Sequence, residues 1–359
     1  MPAVDWPRAR LRYEAWWQGE LLDRPLIQLT APSRPDALEP APQDETELLE
    51  WFTDPGRVIL RLEGELACTY YVGDAFPVAF PVSGNLAAIE AAYLGCPYRV
   101  QPLSNTAWAS PIIDDWDRRL PLRVQDDNWW WQRSQLLLET GARRAAGRYT
   151  VGIPDLQGGG EILALLRGTD RLAVDLVDDP RYILTAVDEV NQAWLYYYNR
   201  CFEIIHRHQE GWVDWLGVWS DRPAVTVECD FNAMISPRMF NRYFLPAVEQ
   251  QCAWIGRTIF HLDGPGALPH LEALLGVRSL SGIQWVPGAG KPPMSEWVPL
   301  LRRIQAAGKL LVLGCEPWEA ERLLRELRPE GVLLQVVCAS PGEADALLGK
   351  VEGIFPSGA

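Results

Sequence analysis

Residues 258–293, TIFHLDGPGALPHLEALLGVRSLSGIQWVPGAGKPP, decide the fold, because they have the pattern of strand, loop, helix, strand and loop. The β-branched and apolar run 258–262 stops at a Gly-Pro-Gly turn, so His261 and Asp263 lie where a strand ends. Apolar side chains at helical spacing follow, and residues 281–286 supply the second strand. A helix between two parallel strands brings both carboxyl ends to one rim.

The same alternation of strands and helices extends in both directions from this unit. Strands are predicted at 149–153, 172–176, 212–219, 225–228, 258–262, 280–285, 309–313 and 332–337. Eight strands with intervening helices predict an α/β protein with a (β/α)8 TIM barrel, of which residues 147–359 form the main part. A doubly wound open sheet is the alternative.

Residues 1–146 are predicted to be an elaborated N-terminal extension that packs on the barrel and is not an independent domain. They hold a predicted strand at 26–30 and helices at 45–52 and from 129 to about 146. Tryptophans crowd into the extension, and large aromatic rings are common in cores and interfaces. We therefore expect them to pack on the barrel or on a second copy of the chain in a homodimer, with a ligand platform as the alternative.

Composition excludes several classes of function. A net charge of −14 and a pI near 4.8 repel nucleic acid and anionic membranes. No apolar run approaches the roughly 20 residues that cross a bilayer, and the first residues lack the features of a signal peptide. Seven scattered cysteines suit a reducing compartment. We expect a soluble, cytoplasmic enzyme with a small-molecule substrate.

Reactive side chains recur at the predicted carboxyl ends of the strands, where the active site of a barrel forms. They are Trp219, Glu228, Asp230, His261, Asp263, Gln284, Trp285 and Cys315. Imidazole, thiolate and carboxylate are zinc ligands, so His261, Asp263 and Cys315 predict a metal site that activates a nucleophile. Glu228 or Asp230 would be a fourth ligand or a proton acceptor.

The remaining members of this set are assigned to the substrate, and other chemistries stay open. Trp219, Gln284 and Trp285 are predicted to line the substrate pocket. Without a metal, Asp230 and His261 could transfer protons in a lyase or decarboxylase. The 17 tryptophans also fit a carbohydrate-active barrel, in which Glu228 and Glu316 would be the paired carboxyls.

Four motifs in this order resemble the uroporphyrinogen decarboxylase superfamily. They are ECDF at 228–231, ISPRMF at 235–240, IFHLDG at 259–264 and VLGCEP at 312–317. The resemblance covers about residues 147–350. It implies a (β/α)8 barrel and one of two activities: the cofactor-free decarboxylation of haem synthesis, or zinc-dependent transfer of methyl groups from corrinoid proteins to thiols.

Two departures from the family pattern narrow this choice. Residues 1–60 lack the arginine-rich loop that grips porphyrinogen carboxylates. His261 and Cys315 match zinc ligands of the methyltransferases, whereas Asp263 stands where their first cysteine would be. We expect an uncharacterised branch related to the corrinoid-dependent methyltransferases, with zinc and with a methyl group on a small molecule, a thiol or a corrinoid carried by a partner protein. The alternative is a metal-free decarboxylase or lyase.

Overall fold

The computed structural model describes residues 4–34, 39–104, 106–119 and 121–356. A seven-stranded sheet, strand order β2-β1-β11-β10-β9-β8-β7, organises the chain. Neighbouring strands in it are parallel except β2, which runs antiparallel to β1. Its strands are β1 Leu26–Pro32, β2 Thr69–Gly73, β7 Val225–Glu228, β8 Thr258–Asp263, β9 Gly282–Val286, β10 Leu310–Gly314 and β11 Val332–Val337.

Two small sheets accompany the main one. The short strands β3 and β6 pair in parallel, and β4 and β5 form an antiparallel pair. Their bounds are β3 Val78–Ala79, β4 Tyr98–Gln101, β5 Thr106–Ala109 and β6 Thr150–Val151.

Helices fill the connections, and the parallel neighbours from β7 to β11 are each separated by at least one of them. In the first half of the chain they are α1 Trp6–Trp17, α2 Glu45–Thr53, α3 Pro55–Ala67, α4 Ile89–Tyr93, α5 Trp129–Ala145, α6 Gly159–Arg167 and α7 Thr169–Asp178. The others are α8 Ile183–His206, α9 Pro237–Tyr243, α10 Leu245–Ile255, α11 Gly264–Ala267, α12 Leu271–Gly276, α13 Val298–Ala306, α14 Ala320–Glu326 and α15 Pro341–Ile354. None of the described helices is both long and apolar enough to span a membrane.

The α/β class predicted from the sequence is confirmed, and a closed barrel stays a prediction. In the described part of the chain the strand ladders leave β7 and β2 as the two edges of the main sheet. The first 146 residues contribute β1 and β2 to that sheet, with β1 paired to β11. That residues 1–146 pack on residues 147–359 without forming an independent domain stays a prediction.

Two predicted strands are not strands, and each has a local cause. Residues 172–176 belong to α7, where Leu172 and Leu176 lie one helical turn apart on the buried side and Val174 faces solvent. Residues 212–219 form no ladder beyond one bridge between Trp212 and Ser220. The carboxylate of Asp214 accepts hydrogen bonds from the backbone N–H groups of Leu216 and Thr226 and so holds this segment in an irregular conformation.

The two faces of the main sheet pack against different cores. Ile27, Leu262, Trp285 and Leu313 belong to the larger core, which includes most of the buried helix residues. The opposite face, here called the inner face, carries Leu26, Ile259, Val312 and Leu333, and it packs with Tyr13, Trp16, Phe76 and Trp219. Side chains alternate between faces along each strand, so the inner face also receives Glu228, His261 and Gln284.

Candidate functional site

Three side chains from adjacent strands form one row on the inner face. Glu228 pairs in register with His261, and His261 pairs with Gln284. Parallel strands keep paired residues on the same face, so these three point in one direction, at the carboxyl end of the sheet. The predicted convergence of Glu228, His261 and Gln284 therefore has a structural basis in strand register.

A group of three potential metal ligands lies at the end of this row. Asp230, His261 and Asp263 each offer a ligand atom, and these atoms all lie within 4.8 Å of one another. Asp263 is two residues beyond His261 on β8 and so shares its face, whereas Asp230 opens the short 3-10 turn that follows β7. Two carboxylates and an imidazole are ligands for zinc and for other divalent metals.

The amide of Gln284 orients the His261 ring. Its Oε1 lies 2.6 Å from Nδ1 of His261, so Nδ1 carries the proton and donates to it. The lone pair of the neutral ring is then on Nε2, which is the arrangement that a metal-binding histidine uses. Trp215 packs its ring edge-on against the same imidazole at 5.4 Å.

Among the described residues, the ligand group consists of Asp230, His261 and Asp263, and Cys315 is not part of it. Its backbone N–H bonds to the carbonyl of Gln335, and burial raises the pKa of its thiol well above the usual range, with Glu319 and Glu316 adding to the effect. A thiol in this setting is protonated at neutral pH. The structure brings Asp230, in place of Cys315, to His261 and Asp263.

Both tryptophans that were predicted to line the substrate pocket, Trp219 and Trp285, lie away from the His261 row. Trp285 is fully buried on the outer face, where its ring meets Trp297 at 5.0 Å. Trp219 packs against Trp6, Tyr13 and Phe76. Its neighbour Ser220 accepts a hydrogen bond from Arg257, the residue before β8, which puts Trp219 at the amino end of the sheet, opposite to His261. Only Gln284 of these three predicted residues reaches the His261 row.

Buried and half-buried carboxylates surround the row and were not singled out from the sequence. They are Glu90 and Asp214, which are buried, and Asp155 and Glu161, whose side chains are half-buried. Asp155 follows the short strand β6 and Asp214 lies in the segment before β7. The rule that polar residues after a strand face the rim would have found Asp155. Glu90 and Glu161 depend on how α4 and α6 pack, and Asp214 depends on the irregular segment that its own hydrogen bonds hold.

Burial is the main cause of the raised pKa values of these four carboxyl groups. Desolvation, with Asp214 and Asp230 nearby, raises the pKa of Asp155 to about 7. Burial also raises the pKa of Asp214 to about 6, although hydrogen bonds from Thr226 and Leu216 oppose it. The pKa of Glu228 is raised well above its usual value by burial and by Asp155, Asp230 and Glu161. Asp155 and Asp214 are therefore carboxyl groups that exchange protons near neutral pH.

The pKa of Asp230 differs from those of the other carboxyl groups in its causes, because Asp230 lies next to the imidazole of His261. Although its side chain is exposed, partial desolvation raises the pKa of Asp230; His261 acts in the opposite direction, and Asp263 adds to the increase. Two carboxylates side by side gain most when a cation lies between them, because their mutual repulsion then becomes a shared attraction.

Comparison with known proteins gives a structural likeness only. No protein-family model matches the chain, and no curated protein sequence matches it. Among solved structures, the chain is similar to a methyltransferase from Methanosarcina mazei, with a TM-score of 0.62 and 13% sequence identity. The superposition covers 97% of this chain and 98% of that one, so the likeness extends over the whole fold.

Proposed function

We propose that this chain is a metal-dependent enzyme of the methyltransferase-like type, with Asp230, His261 and Asp263 as the protein ligands of a divalent cation, zinc in the first instance. The single observation that carries the proposal is the convergence of these three side chains within 4.8 Å. The structural likeness to a methyltransferase supports the reaction class, and the motif resemblance to the uroporphyrinogen decarboxylase superfamily agrees with it. A (β/α)8-type arrangement of the strands is part of the proposal.

The donor set fits a metal by its chemistry. His261 has its Nδ1 proton held by Gln284, which leaves Nε2 for coordination. Asp230 and Asp263 supply anionic oxygens, which neutralise a divalent charge and are harder donors than the cysteines of the thiol-activating enzymes. A bound zinc would act as a Lewis acid and lower the pKa of a coordinated thiol or water.

The residues around the metal ligands would then manage protons and substrate. Glu228 stands beside His261 in the row and, with its raised pKa, is a proton carrier within reach of the inner face. Trp215 covers one side of the imidazole with its ring. The methyl group would come from or go to a small molecule, a thiol or a corrinoid on a partner protein; the corrinoid partner and a homodimer stay predictions.

Metal analysis of protein purified without chelator tests the proposal. We expect about one zinc per chain and less than about a tenth of that in His261→Ala, since loss of one of three protein ligands removes most of the affinity. His206→Ala is the matched control, because His206 is an exposed histidine at the end of α8 that stacks on Phe202. Wild-type protein without zinc would contradict the proposal. An equal zinc content in His261→Ala and His206→Ala would contradict it as well.

A metal-free lyase or decarboxylase is the second candidate, and the buried acids favour it. Asp155 with a pKa of about 7 and Glu228 with a raised pKa can serve as proton donors without any metal. Release of CO2 from a carboxylated substrate by EDTA-treated protein, at the rate of the untreated enzyme, would establish this candidate over the first.

A further inference from the structure

A cavity of about 420 Å³ shares one lining residue, Trp215, with the surroundings of His261. Its walls include the rings of Trp51, Phe52, Phe80 and Trp215, together with the carboxylate of Asp155. The first two rings come from α2, so the N-terminal region forms part of the enclosure. Trp215 is shared with the metal site, since its ring contacts His261. The cavity therefore neighbours the inner-face row through Trp215, although the three metal ligands are not among its described lining residues.

Carboxylate oxygens near this cavity are left without partners. Oδ1 of Asp155, Oε1 of Glu228 and Oε1 of Glu90 are buried and accept no hydrogen bond. Glu228 is 5% exposed and Glu90 is fully buried. The raised pKa of Glu90 and of Glu228 favours their protonated form, whereas Asp155, with a pKa of about 7, ionises near neutral pH. A buried polar oxygen that has lost water and gained no partner destabilises the folded state unless a ligand supplies the missing contact.

Positive charge from the protein does not fill this role. In the described residues, no ion pair reaches Glu90, Asp155, Glu161 or Glu228. Arg61 is the positive side chain among the described residues that line the cavity. It is already paired with Glu65 at 2.8 Å and lies over the Trp51 ring at 5.1 Å. Among the described lining residues, the acidic side chains of Glu39, Glu65 and Asp155 therefore outnumber the one guanidinium, so the cavity is negative once Asp155 is ionised.

The geometry selects an organic cation over a second metal ion. A metal needs ligand atoms gathered within bonding distance of one point. Among the described residues, only Asp230, His261 and Asp263 form such a group, and Asp155, Glu90 and Glu228 do not. Dispersed carboxylates with aromatic faces between them are the environment that binds alkylated ammonium groups, through charge and cation–π attraction.

We propose that this cavity binds an organic cation, an alkylated ammonium compound, with its charged nitrogen between the carboxylate of Asp155 and the ring of Trp215. The proposal rests on the proposed function in one respect only, in taking the bound cation as the substrate delivered to the metal site. It excludes polyanionic substrates such as porphyrinogens from the cavity, because they would add to the negative charge.

Calorimetry on EDTA-treated full-length protein tests the binding, with choline and its neutral isostere 3,3-dimethylbutan-1-ol as probes. Since the two differ only in charge, we expect choline to bind at least about tenfold more tightly. Asp155→Asn should weaken choline binding by about tenfold and leave the neutral probe unaffected. Asp170→Asn, which removes the same charge from exposed α7, is the control and should bind choline as the wild type does.

A second pair of variants guards against a folding defect. Trp215→Leu should lose choline affinity, whereas Trp215→Phe, which keeps an aromatic face, should retain most of it. Equal affinities for the two probes, or unchanged choline affinity in both Asp155→Asn and Trp215→Leu, would overturn the proposal. Because these measurements use metal-free protein, choline binding stands even if metal analysis refutes zinc, and zinc binding stands even if choline does not bind.

Discussion

Gln284 is expected to determine the zinc affinity of the proposed metal site, although it is not itself a ligand. Its Oε1 is the acceptor for His261 Nδ1. Gln284→Leu removes that acceptor, so the proton distributes between the two ring nitrogens and the ring loses its fixed orientation. We expect zinc affinity to fall by about 10- to 100-fold, measured by competition with a chelator.

The matched control is Gln284→Glu, in which a carboxylate takes over as acceptor and the affinity should be retained. Far-UV circular dichroism should be the same for both variants. If Gln284→Leu bound zinc as tightly as the wild type, His261 would not ligate through the nitrogen that this hydrogen bond leaves free.

Asp155 predicts how stability depends on pH. Its pKa is raised to about 7 in the folded state, chiefly by burial. Between the unfolded value near 4 and about 7, the folded chain holds a proton on Asp155 that the unfolded chain releases. The contribution of Asp155 to stability is therefore fully present below about pH 4 and is lost as the pH rises through this window.

We expect the melting temperature of EDTA-treated protein to fall over that window, and to fall less in Asp155→Asn. Asp214, with a pKa of about 6, keeps part of the slope in both proteins. Asp170→Asn should follow the wild type. Parallel curves for wild type and Asp155→Asn would show that the Asp155 carboxyl is solvated.

At the scale of elements, the sequence predicts best those strands whose two faces are both buried. The runs that become β10 and β11 are nearly continuous apolar segments, which is typical of parallel strands covered by helices. The helix α7 was missed because a short run such as LAVDL satisfies both periods. The segment at 212–219 was missed because the hydrogen bonds of Asp214, which are not visible in the sequence, override its β-branched composition.

The same reasoning separates the parts of the site that could be predicted from those that could not. His261 and Asp263 lie at the carboxyl end of β8 and Asp230 follows β7, so sequence position alone brings them to one rim. The burial of Glu90 or Glu161 depends on the packing of α4 and α6, which no local pattern encodes. Cys315 follows β10, two strands along the sheet from β8, and its separation from Asp263 depends on side-chain geometry.

Helix α6 gives a prediction at this scale, because its first turn is packed without space for a methyl group. A Cβ on Gly160 would lie 2.5 Å from Phe244 and 2.9 Å from the sulfur of Cys229. The next residue, Glu161, accepts the backbone N–H of Phe231, so a shift of α6 also disturbs the turn that carries Asp230. We expect Gly160→Ala to lower the free energy of unfolding by about 1–3 kcal/mol in urea titrations.

Gly64→Ala in α3 is the matched control for this substitution. A Cβ there meets nothing within 4 Å, so alanine should stabilise the protein by about 0.5–1 kcal/mol through helix propensity. A neutral Gly160→Ala would mean that α6 and α10 can separate freely, and that the Glu161–Phe231 contact does not fix the turn.

At the scale of the whole molecule, the sheet joins the two halves of the sequence. β1 lies between β2 and β11, so the first 146 residues supply both the antiparallel edge and the strand next to it. Trp17 of α1 reinforces this connection, because its Nε1 donates to the carbonyl of Trp219. Removal of the N-terminal region would expose the edge of β11 and the inner-face core together.

A cut between the two halves tests this dependence. Ala146 and Gly147 both have positive φ and are exposed at the end of α5, so a protease site inserted between them should be tolerated. After cleavage of the native protein, we expect the fragments 1–146 and 147–359 to elute together in size-exclusion chromatography. Once separated in urea, neither should regain a cooperative unfolding transition alone, and mixing should restore it, since each fragment holds strands that the other must pair. Cooperative unfolding of 147–359 alone would instead make it an autonomous domain, with the N-terminal residues as a cover over the cavity.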